Sequence, residues 1–92
     1  MYNTSWIEEL TDKEINFMVS KILGKKVNEN KTFDPCNNHD HAWLVLETLD
    51  CTMDIDGSVY FHEYQFKIQC KNKVLRAAMI GFCAINDTKH RN

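Results

Sequence analysis

"TMDIDGSVYFHE", residues 52–63, decides how the middle of this 92-residue chain is built. Laid over a calcium-binding loop of the EF-hand type, it offers Asp54 and Asp56 at the third and fifth positions, Gly57 at the sixth, Val59 at the eighth and Glu63 at the last. The first position fails, because Thr52 brings a hydroxyl where the signature needs a carboxylate to balance a hard dication. The exit fails too. A helix should begin near Glu63, yet Tyr64, Phe66, Ile68 and Cys70 alternate with the period of a strand. A β-hairpin with Asp56-Gly57 as a two-residue turn fits both flanks. That register sets Ile55 opposite Ser58, Met53 opposite Tyr60 and Cys51 opposite His62, leaving Asp54, Val59, Thr52 and Phe61 on the other face.

Working outward, strands are expected at about 51–55, 58–62 and 64–70. Before them a helix spans about 39–49, with Ala42, Val45, Leu46 and Leu49 inward and Trp43 beside them as a core anchor. After them Leu75, Ala78, Met79, Phe82 and Cys83 repeat at helical spacing, so a helix covers about 74–85, and Ala77 and Ala78 let it lie close to the sheet.

The first long helix has the strongest local signals. Thr11 and Glu14 form a capping box, Leu10 and Ile15 a hydrophobic staple, and Gly24 supplies the left-handed stop. Ile15, Met18, Val19, Ile22 and Leu23 make one apolar stripe, and Lys21, Lys25 and Lys26 suit its negative end. The polar stretch from Lys25 to Asp40 carries the sole proline, Pro35, and reads as a loop, with a short extended piece at Thr32-Phe33. The predicted core is therefore Ile15, Val19, Ile22, Trp43, Leu46, Leu75, Met79 and Phe82. The fold class is α+β, one domain over 1–92 in the order α-α-β-β-β-α, with an antiparallel three-stranded sheet packed against helices as in an α/β/α sandwich.

Length and a hydrophobic content of 43% suit one soluble globular domain with a modest core. No apolar run is long enough to span a membrane, and "MYNTSWIEEL" lacks the regions of a signal peptide, so a cytoplasmic protein is expected. In that reducing compartment Cys36, Cys51, Cys70 and Cys83 should be free thiols. Cys36, His39 and His41 lie close in "CNNHDH", but neither a CxxC pair nor a second ligand cluster supports zinc, and no cofactor is expected.

Three stretches, "LTDKEIN" at 10–16, "FDPCNNHDHAW" at 33–43 and "NKVLRAAMI" at 72–80, resemble together the phage NinX-like family of lambdoid phages and prophages, assigned to the phage ABA-sandwich domain. His39 and Leu44 stand where that family often has proline. The resemblance implies a phage or prophage origin, the cytoplasm of a bacterial host, and a β-sheet between helical layers. It brings no catalytic residues.

Function is then read from what chemistry is present. Glycine-rich phosphate loops, a GxSxG elbow and an HExxH helix are all missing, which points away from common enzyme classes. A sequence pI near 6.0 argues against a strong nucleic-acid footprint, although Lys71, Lys73, Arg76, Lys89 and Arg91 keep a basic C-terminal helix as an alternative. From Asp34 to Glu63 there are seven acids and no Lys or Arg. The expected role is binding of a host or phage protein, so as to modify or inhibit a host process such as a defence system; self-association is compatible with it. The partner-binding candidates are Glu47, Asp50, Asp54 and Asp56, expected to converge into a negative patch that steers a basic partner, together with Asn37 and Asn38.

Overall fold

A computed structural model describes residues 4–24 and 33–87. Lys25 and Lys26, Thr32 of the expected extended piece, and the tail residues Lys89 and Arg91 lie outside them. A single turn, α1 (Ser5–Glu8), precedes α2 (Asp12–Leu23), α3 (His39–Leu46), β1 (Cys51–Met53), β2 (Ser58–Phe61), β3 (Phe66–Gln69) and α4 (Val74–Asn86). Apart from α1, which carries no capping signature of its own, the α+β class and the element order follow the sequence.

Local chemistry explains α2. Thr11 Oγ1 accepts from the Glu14 N–H at 3.2 Å and Glu14 Oε1 accepts from the Thr11 N–H at 2.9 Å, a complete capping box. Gly24 closes the helix at φ 69°. In α3 the side chain of Asn38 caps the first turn by accepting from the His41 N–H. This helix ends at Leu46, earlier than the periodicity predicts, and Leu49 is half-buried beyond its end.

The last helix is the centre of the molecule. Every residue from Ala77 to Ile85 is buried, the signature of a helix covered on all sides. Residues of β2 and β3 lie against it, as do residues of α1, α2 and α3. The strands run in the order β1-β2-β3, both pairs antiparallel. Val59, Phe61 and Ile68 face inward, while Thr52, Tyr60 and Lys67 form a cross-strand row on the outer face. Among the described residues no second helix covers that outer face, so the helices collect on one side of the sheet, in place of the sheet-centred layering that the resemblance implies.

The hairpin reading holds, but its register is one residue off the expected one. Cys51 pairs with Phe61, Thr52 with Tyr60 and Met53 with Val59, around a three-residue loop, Ile55-Asp56-Gly57. The Gly57 N–H donates to the Asp54 carbonyl at 3.0 Å and the Asp54 N–H to the Ser58 carbonyl at 2.9 Å, which makes a four-residue turn, 54–57, whose last residue is a glycine with positive φ, 99°. The correction has a tertiary cause. The Gly57 carbonyl accepts from the Cys70 N–H and the Asp56 carbonyl from the Asn72 N–H, so the tip is docked on the chain leaving β3. A Cβ on Gly57 would stand 1.8 Å from the Cys70 carbonyl oxygen.

Two predicted core residues are exposed. Trp43 is 56% exposed and Ile22 36%, and Leu75 is only partly buried. Ile15, Val19, Leu46, Met79 and Phe82 are in the core as expected. No helix among the described residues is long and apolar enough to cross a membrane.

Candidate functional site

The asparagine-rich loop is occupied by the fold itself. Asn16, nearly buried on α2, donates to Asp34 Oδ1 at 2.7 Å and accepts from the Cys36 N–H at 3.1 Å. The Asp34 N–H donates to His41 Nδ1 at 2.9 Å, which fixes that ring nitrogen as an acceptor, and Phe33 stacks on the same ring at 5.5 Å. Asn37 Nδ2 donates to Asp12 Oδ2 at 3.1 Å and to both oxygens of Asp34. With Asn38 as helix cap, both partner-binding asparagines have structural work.

Arg76 completes the network from α4. Its guanidinium pairs with Asp12 and donates to the carbonyls of Glu8 at 3.0 Å and Leu10 at 2.6 Å, joining α1, α2 and α4. Burial works against the Asp12 carboxylate, but Asn37, Arg76 and Lys73 outweigh it and hold its pKa below the usual value. The cation expected to mark a basic nucleic-acid face is thus turned inward, on a helix that the rest of the domain encloses.

The thiols are poor nucleophiles. Burial, aided by the Asp12 charge, pushes Cys36 up to about 12, and burial does the same to Cys83. All four cysteines are free, and among the described residues no three His, Cys, Asp or Glu side chains gather as a metal would require. On the outer sheet face Thr52 Oγ1 and His62 Nε2 lie 2.6 Å apart, with Tyr60 edge-on to the His62 ring at 4.9 Å. A hydroxyl beside an imidazole is the start of a nucleophilic pair. Both groups are exposed, however, and among the described residues no carboxylate hydrogen-bonds to the imidazole to orient it.

The acidic candidates are exposed but spread along the hairpin. Glu47 caps the C-terminus of α3 and Asp50 precedes β1, whereas Asp54 and Asp56 sit in the tip. β1 separates the two groups, setting Asp50 and Asp54 about 13 Å apart by strand rise. The two groups thus lie at opposite ends of β1. Ile55, 98% exposed, stands between the tip carboxylates, and Asp56 Oδ1 is itself engaged by the Ser58 N–H.

The residue that sequence periodicity misplaced is the more informative one. Among the described residues four aromatic side chains are substantially exposed: Phe17, Trp43, Tyr60 and Tyr64. Phe17 is covered by Lys21, whose Nζ lies 5.4 Å from the ring centre; Tyr60 meets His62; Tyr64 is also engaged. Trp43 has no ring or cation partner among the described residues. Asp40 precedes it by three positions and Glu47 follows by four, so both carboxylates share its face of α3. The signal available in sequence was the flanking of Trp43 by His39, Asp40 and Glu47 at helical spacing. Comparison with family models, curated proteins and solved structures gives no match for this chain.

Proposed function

We propose that this chain is a non-enzymatic binding protein that engages a host or phage protein through the outer face of α3, in the cytoplasm of an infected or lysogenic bacterium. The observation that carries the reading is the exposed Trp43, without a ring or cation partner among the described residues, at the margin of the buried stripe Ala42, Val45 and Leu46. A rigidly mounted tryptophan offers a large contact area at small entropic cost, which is why this residue type dominates binding hot spots. The phage origin, and with it an action on a host process such as defence, rests on the resemblance of 10–16, 33–43 and 72–80 to the NinX-like family. The buried thiols and the inward Arg76 support binding over cysteine catalysis or nucleic-acid contact through α4.

The test uses tagged wild-type and Trp43→Ala chains as baits in host lysate, with light scattering to detect self-association. A protein captured by the wild type and lost with Trp43→Ala, while far-UV circular dichroism stays unchanged, supports the reading. Identical captures by both baits sink it. If the wild type dimerises and Trp43→Ala is a monomer, the partner is a second copy.

A further inference from the structure

We infer that the Trp43 face of α3 recognises an arginine side chain on its partner, with the guanidinium over the indole and its N–H groups on the Asp40 and Glu47 carboxylates. This deepens the binding reading above and rests on it. Elsewhere the chain satisfies an exposed ring with its own cation, Lys21 over Phe17; among the described residues no cation does this at Trp43, where the same role is open to a cation from outside.

Charge supports the same occupant. Neither Asp40 nor Glu47 has an ion-pair partner among the described residues. No Lys or Arg occurs anywhere from Asp34 to Glu63, so nothing in the neighbouring sequence competes for them. The C-terminal end of α3 adds its negative dipole end close to Glu47. His39, four residues before Trp43, shares the face. Arginine fits better than lysine because a planar guanidinium stacks on an indole and still presents N–H groups at its edge, whereas an ammonium is a compact, strongly hydrated point charge. A carboxylate on either side of the ring, one helical turn away, suits that edge.

The experiment titrates the isotopically labelled full chain with capped tetra-arginine, tetra-lysine and tetra-citrulline peptides, following the indole N–H resonance that Trp43→Phe removes. Tetra-arginine should move that resonance and bind roughly fivefold tighter than tetra-lysine, while tetra-citrulline, equal in shape but uncharged, leaves it in place. Binding should fall as salt rises from about 50 mM to about 0.3 M. Asp40→Asn with Glu47→Gln should weaken it roughly tenfold and flatten the salt dependence. An equal response to citrulline, an undiminished affinity in the carboxylate variants, or no movement of the Trp43 resonance overturns the assignment. If a lysate partner needs Trp43 but ignores the carboxylate variants, the α3 surface stands and the arginine assignment falls. If the peptides bind as expected but no capture depends on Trp43, the cation site stands without the binding-protein reading.

Discussion

Gly81 and Phe61 occupy each other's space: a Cβ on Gly81 would lie 2.0 Å from Phe61 Cζ. The ring cannot easily step aside, since Phe61 is fully buried and stacked on Phe66 at 4.9 Å. In an open helix Gly→Ala stabilises by about 1 kcal/mol. Here Gly81→Ala should instead destabilise by about 1–3 kcal/mol through overpacking, and Gly81→Ala with Phe61→Leu should recover part of the loss. Thermal melts of the two variants check this; a higher melting temperature for Gly81→Ala alone would show that the contact is loose.

Trp43 and Phe82 provide the contrast between a surface aromatic and a core one. Phe82→Ala should cost about 3–5 kcal/mol, enough to unfold a marginal small domain. Trp43→Ala should cost under about 1 kcal/mol, as surface substitutions do. Denaturant titration of each variant decides, and equal losses would return Trp43 to the core.

The capping and bridging carboxylates set the response to acid. Asp12 has a depressed pKa in the fold, where burial is outweighed by Asn37 and Arg76, and so does Glu14, which bonds the Thr11 backbone and hydroxyl. A depressed carboxylate contributes stability that is complete above its unfolded pKa, about 4, and is lost as pH falls through the lower folded value. Melting temperature should therefore decline below about pH 4, and Asp12→Asn should flatten part of that decline. An unchanged acid slope in Asp12→Asn would remove Asp12 from the account.

Thiol chemistry offers a further check. Cys36 and Cys83, both pushed up to about 12 by burial, should stay unmodified by an alkylating reagent at about pH 8 in the folded protein. Cys51 and Cys70, raised by burial to a lesser degree of enclosure, should react slowly, and all four should react in denaturant. Rapid native labelling of Cys36, followed by intact mass, would contradict its packing against Asp12.

What could be read from the sequence, and what could not, divides by range. The capping box of Thr11 and Glu14, the stop at Gly24 and the α4 stripe are decided within a few residues, and each stands in the structure. The existence of the hairpin was legible for the same reason, but its register was not. Gly57 takes the third loop position because its carbonyl and missing Cβ meet Cys70, thirteen positions on. Trp43 and Ile22 sit at the margins of apolar stripes, where helical periodicity does not say which flank a neighbour covers. Of the candidate site, the carboxylate Glu47 was named and its neighbour Trp43 was assigned the opposite role. The bonds of Arg76 to Asp12, Glu8 and Leu10 span most of the chain, with no local signal to announce them.

Because α4 is the hub of packing and the last of the described elements in chain order, the ribosome delivers it after the helices and strands that rest on it. Until Ile85 has emerged, α2, α3 and the sheet have no common surface on which to bury Ile15, Val45 or Phe61. The nascent chain should stay open to protease until α4 has emerged and then close in one step. A stalled chain ending before Val74 that already resists digestion would show that the sheet and first helices find another partner before α4 arrives.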